Sequence, residues 1–329
     1  MSRLYNVFLS QIEIYGWTYD SVKIFIELFL RESDNEDIEN ILKLFLEEPK
    51  NEYRAMLLDV IMTSDDEKIA EKIYYNCFEA GKLKEGVSPE VLRCLGYMKY
   101  EPIKRVLVEY IKSKDYSENK NSCLGLLNFD CTEFEDEIIE EIDKCFKSSI
   151  FNEFVPVLAS KVKKKDYRDA IYQHGEKVAS VDCNAGLITS IALLGEKELF
   201  KKILWDEKWE VFDCGTGTGY WAFTGMQILK ISFLELYIEV KDVIEKKGDC
   251  AEARYKLGVL HTLLKSRLDF TIMPFKINYL NEKFEDIYKS LFETEEMPSV
   301  NEIIERNIKD NEFINSFAEM RRFIRRRSM

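Results

Sequence analysis

The chain has 329 residues, 46% hydrophobic and 33% charged, enough for one elongated domain or two ordinary ones. Its formal net charge of −13 weighs against a nucleic-acid binder, which needs a basic footprint to displace counterions from phosphates. With only 14 glycines and 6 prolines, and no linker or low-complexity tract, the composition points to helix.

In chain order, the opening "MSRLYNVFLSQIEIYG" interrupts its apolar positions with Asn6, Gln11 and Glu13. It reads as a cap helix over residues 1–20 and not as a signal sequence. No uncharged run approaches the roughly 20 residues that a membrane-spanning helix needs.

From residue 21 to 295 one pattern recurs: an apolar helix ending in Leu-Gly or an equivalent pair, a short break, then an amphipathic helix. It is clearest in "VLRCLGYMKYEPIKRVLVEYIKS", "NSCLGLLNFDCTEFEDEIIEEIDKCF" and "LITSIALLGEKELFKKILW". Turns are expected at Gly96, Gly125 and Gly195. Steps of about 35 residues add Ser160, Lys230 and Lys265, and shorter backward steps add Thr63 and Arg31. The second helices carry the apolar stripe expected of a packed helix, as in Ile103, Val106, Leu107, Tyr110 and Ile111. Pro102 falls near a helix start, where a missing N–H costs least.

The stretch "TEFEDEIIEEID" places Glu133, Asp136, Glu137 and Glu140 opposite Ile138, Ile139 and Ile142. A solvated helix face is the ordinary reading, and a docking surface for a basic partner is the functional one. The next patch, "SKVKKKDYR" (Ser160 to Arg168), is basic.

"VFDCGTGTGYWAF" (Val211 to Phe223) resembles the first motif of class I S-adenosylmethionine methyltransferases. There Gly215, Gly217 and Gly219 would line the cofactor, and an acid such as Glu239 would bind the ribose. The preceding apolar run is too short for a central parallel strand. Gln227 to Lys247 contains no Gly or Pro and reads as one continuous helix carrying Glu239. The loop therefore reads as a connector between hairpins. Trp205, Trp209, Tyr220 and Trp221 cluster around it, as core residues or as contacts for a partner.

Strand signals are nearly absent, except in "LDFTIMPFKINYL", where Pro274 makes a poor central strand. Residues 296–329 read as a C-terminal helical cap ending in the basic "MRRFIRRRSM". The eight cysteines form no C-x-x-C pair and the two histidines lie far apart, so no zinc site is expected. Free, buried thiols in a reducing cytoplasm are the simple reading.

This period and pattern resemble the HEAT and armadillo-type repeat proteins over about residues 20–295. The resemblance implies a single all-α domain, an α-solenoid of about eight helical hairpins in a right-handed superhelix. Each hairpin is hydrophobic on more than one side, and stacking its neighbours buries those faces in one core. Such a surface suits another macromolecule, so the expectation is a non-catalytic, acidic module that binds a basic protein and uses no cofactor or metal. One concrete form is an immunity or antitoxin-type inhibitor. The rival readings are a methyltransferase using the "CGTGTG" loop and a HEAT-like DNA-binding or DNA glycosylase-type protein.

Overall fold

The computed structural model describes residues 3–148, 154–176, 181–209, 211, 218–248 and 250–269. They form two units that divide between His174 and Gly175. Helix dominates the described residues, as the composition requires of an all-α chain.

In the first unit, the helices that start at Tyr19, Asn35, Glu52, Glu67 and Tyr116 begin where a side chain replaces a missing backbone partner. After α1 (Arg3–Tyr15), Thr18 accepts from the Ser21 N–H to start α2 (Tyr19–Glu32). Asp34 and Asp37 form a reciprocal capping box at α3 (Asn35–Glu47). Asn51 caps the short α4 (Glu52–Ala55), and α5 (Leu58–Ile61) follows. Asp66 caps α6 (Glu67–Cys77), and Pro89 and Pro102 lead into α7 (Glu90–Tyr97) and α8 (Ile103–Tyr110). Asp115 caps α9 (Tyr116–Leu126). Then come α10 (Glu135–Lys147), a 3-10 segment (Val155–Lys161) and α11 (Arg168–Gly175).

Alternate elements pack on one another, α5 on α7, α7 on α9, and α9 on the 3-10 segment. Buried polar side chains fasten α9 to α8: Asn119 donates to the Ile111 carbonyl at the end of α8, and Ser122 donates to the Leu107 carbonyl. The Leu107 carbonyl also accepts the Ile111 N–H at 3.0 Å, whereas the Ile111 carbonyl lies at the end of α8, where helical donors run out and the Asn119 amide supplies one.

Between α6 and α7 lies a two-stranded antiparallel hairpin, β1 (Phe78–Glu79) and β2 (Lys82–Leu83). No strand was expected there. Ala80 and Gly81 both take positive φ, 48° and 75°, which suits a tight two-residue turn. The Leu83 N–H donates to the Tyr110 hydroxyl at 2.8 Å, tying the hairpin to α8.

The second unit contains α12 (Val181–Leu193), α13 (Lys197–Leu204), a 3-10 turn (Glu207–Trp209), α14 (Thr218–Leu229), α15 (Phe233–Lys247) and α16 (Ala251–Asp269). Here α12 packs on α14 and α14 on α16, with α13 and α15 as the partner helices. Asn184 donates to the Trp209 carbonyl at 2.8 Å, holding the fully buried Trp209.

The expected turns divide into those met and those displaced. Gly195 and Lys230 do reverse the chain, with φ of 80° and 54°, and Thr63 lies between α5 and α6. Gly96 and Gly125 instead lie inside α7 and α9, and the first of those turns comes at Lys99, φ 56°. Lys265 is no turn, because α16 runs through it. The expected single helix from Gln227 to Lys247 is broken: α14 stops at Leu229, and Ser232 caps a new helix by accepting from the Glu235 N–H. The absence of Gly and Pro could not reveal a turn made by a lysine. The "LDFTIMPFKINYL" stretch from Phe270 onward and the C-terminal cap lie outside the described residues.

Candidate functional site

The acidic face of α10 is built as its spacing predicts, with Ile138 and Ile142 fully buried and the acids turned outward. Those acids meet cations of the same chain. Glu133 lies 2.6 Å from Lys104, and Glu137 bridges Arg105 and Lys112 at 2.7 and 2.9 Å. Asp136 lies 2.6 Å from Lys164, and Glu140 lies 2.8 Å from Lys144. Asp143 takes Lys165 at 2.6 Å and the Tyr167 hydroxyl at 2.9 Å.

Glu135 points the other way and is buried, accepting the backbone N–H groups of Lys163 and Lys164. Those two N–H donors hold its carboxyl below the usual carboxylate range. Hydrogen bonds from Lys112 and Arg105 do the same to Glu137, and Lys144 does so to Glu140. The basic stretch "KVKKKDYR" therefore folds against the acidic helix, and each patch answers the other.

The aromatic cluster sits in the second unit. Trp209 and Trp221 are buried, at 0% and 7% exposure, and Tyr220 meets Trp221 edge to face at 5.4 Å. Trp205 is half-buried; its indole N–H donates to Glu239 at 2.7 Å, and Lys256 stands over its ring. Glu239 also accepts Lys201 at 2.6 Å. The acid that a cofactor ribose would need is thus engaged in joining α13 to α15. Gly215 and Gly217 of the glycine loop lie outside the described residues, while Gly219 is buried in the first turn of α14.

A third feature had no signal in the sequence, because a hairpin makes it. An open cleft of about 530 Å³ lies between the β1–β2 turn and α8, lined by Lys82, Arg105, Glu109, Tyr110, Lys112 and Glu118 among others. Arg105 pairs with Glu109, and Ser113 donates to Glu118 at 2.6 Å. Arg105 and Lys112 on its rim are the cations that hold Glu137 of α10.

Among the described residues no group of His, Cys, Asp and Glu has the makings of a metal site, and no helix is long and apolar enough to cross a membrane. Comparison with family models, with curated proteins and with solved structures finds no match to this chain.

Proposed function

We propose that this chain is a non-catalytic helical-repeat protein of HEAT or armadillo type, about eight hairpins in a right-handed superhelix, which binds a basic protein partner. One observation carries the reading. Side chains bridge equivalent helices of successive hairpins at a nearly constant separation in sequence. Lys72 reaches Glu39 across 33 residues, Arg93 reaches Asp59 across 34, and Arg105 reaches Glu137 across 32. In the second unit Lys201 reaches Glu235 and Trp205 reaches Glu239, each across 34. A separation that recurs at 32 to 34 residues between α3 and α6, α5 and α7, α8 and α10, and α13 and α15 is what a stacked repeat produces, beside bridges of 25 residues (Lys112 to Glu137) and 38 residues (Lys197 to Glu235) in the same places.

Repeat stacks present long surfaces to other macromolecules, and a net charge of −13 attracts and orients a basic one. The unbridged thiols of Cys77, Cys94, Cys123, Cys131, Cys145 and Cys250 support a reducing, cytoplasmic setting. An immunity or antitoxin-type inhibitor of a basic toxin is one form of such a binder.

The test is affinity capture on the immobilised chain, followed by titration of the purified captured protein. A basic partner whose Kd weakens as salt rises supports the reading. An acidic partner, or a saturable rise in melting temperature with S-adenosylmethionine, counts against it.

A further inference from the structure

Helix α1 is apolar on two sides. Its inner side seats Phe8, which is fully buried and lies edge to face with Trp17 of the following loop and with Phe25 and Phe29 of α2. Its outer side carries Val7, Ser10, Gln11 and Ile14, which follow i, i+3, i+4 and i+7 and so form one stripe. Val7 is 49% exposed and Ile14 is 71% exposed. Tyr15 and Tyr19 extend the patch past the helix end, so four of the seven exposed large hydrophobic side chains among the described residues fall within residues 7–19. The other three, Tyr75, Tyr116 and Ile238, are scattered singly, as on any surface, whereas a concentration of this kind marks a face that a partner covers.

Two features of the stripe say what covers it. The first is charge. The chain is 33% charged with a net charge of −13, yet Glu13 is the one charged residue from Leu4 to Tyr15. It lies about 100° around the helix from Ile14, off the stripe. A basic partner gains nothing from an uncharged stripe, whereas a second copy of an acidic chain approaches closely only where like charges are absent. The second feature is order. Read in either direction, the stripe is an apolar residue, two uncharged polar residues and an apolar residue. In an antiparallel pair with its two-fold axis between Ser10 and Gln11, Val7 meets Ile14 of the copy at both ends. Ser10 stands at that axis with its hydroxyl already donating to the Asn6 carbonyl at 3.0 Å, so burying it leaves no hydroxyl donor unmet.

We propose that the outer face of α1 pairs two copies of this chain antiparallel, with Val7 packed on Ile14 of the copy. One pair of helices buries less than the roughly 800 Å² per partner of a standard interface, so the dimer dissociates on dilution. Salt strengthens it by screening the repulsion between two acidic chains, which is opposite to the effect of salt on a basic partner. The pairing therefore stands or falls separately from the basic-partner reading above.

Sedimentation velocity of the full chain tests it, over about 2 to 200 μM protein and at about 0.05 and 0.5 M sodium chloride. The sedimentation coefficient rises with concentration toward that of a dimer, and it rises earlier at the higher salt. Val7→Lys and Ile14→Glu each move the midpoint about tenfold higher in concentration. Both changes in one chain recover about threefold of that loss, because the antiparallel register sets each new lysine against a new glutamate of the copy. Ile238→Glu, at an apolar position of similar exposure on α15, moves the midpoint less than about twofold. Unaltered melting temperatures show that these surface substitutions leave the fold intact. A chain that stays monomeric throughout overturns the pairing and gives the stripe to another partner. Equal weakening by Ile238→Glu overturns the site, and association that weakens with salt overturns an uncharged interface. A double variant no better than the single ones overturns the antiparallel register.

Discussion

Gly96 and Gly125 are the point of closest approach between α7 and α9: a Cβ built on Gly96 would stand 2.4 Å from the Gly125 Cα. That contact is to backbone, which cannot swing aside as a side-chain tip can. Gly96→Ala therefore forces the helices apart and costs about 1–3 kcal/mol of stability. Urea unfolding measures it, and a variant as stable as the wild type would show that the two helices are not in contact at these positions.

The α10 carboxylates make stability depend on pH. Glu135, Glu137 and Glu140 are all held below their ordinary value of 4.5 by hydrogen bonds and ion pairs that exist only in the folded chain. Their contribution is complete above that value and is lost as pH falls through the lower folded-state values. The urea midpoint should drop as pH falls below 4.5. Glu135→Gln should start lower at pH 7 and fall less on acidification. A midpoint that rises on acidification would contradict the assignment.

Thiol reactivity should follow burial. Burial pushes Cys77 up to about 12 and Cys131 up to about 11, and it raises Cys94 and Cys123 as well. The thiolate is the reactive form, so these cysteines resist alkylation at pH 8 in the native chain. Cys250, which is partly exposed, labels ahead of them. Peptide mapping after a short pulse of iodoacetamide reads the order, and early labelling of Cys94 would contradict it.

Lys230 turns the chain between α14 and α15 with a φ of 54°, a conformation that strains a residue with a Cβ. Lys230→Gly removes that strain and should stabilise the chain by about 1 kcal/mol. Gly195 makes the corresponding turn at φ 80°, so Gly195→Ala should destabilise. Urea midpoints moving in the opposite directions would show that the turns are not strained.

The two turns also show how far the sequence could be read. Counting about 35 residues from Gly195 lands on Lys230, and the turn is there. The reading of Gln227 to Lys247 as one helix came from the absence of Gly and Pro, and it missed the same turn. The same count of 35 fails at its next step, Lys265, where α16 runs on. Residue type failed because a left-handed turn can be forced on a lysine when the flanking helices bury enough surface. For Gly96 and Gly125 the residue type was informative and its meaning was misread. Glycine serves turns and close helix contacts alike, and only the partner helix distinguishes them.

The candidate sites divide in the same way. The outward acids of α10 were legible from the alternation with Ile138, Ile139 and Ile142. Their engagement with Lys104, Arg105, Lys112 and Lys164 was not, since those partners come from elsewhere in the chain.

By itself, the sequence determined helical class and the amphipathic stripes, both of which arise within a few turns of one helix. The tertiary structure decided which glycines are contacts, where a lysine turns the chain, and which acids are neutralised. Those outcomes depend on side chains about 30 residues apart meeting across packed helices, and local pattern carries no record of such meetings.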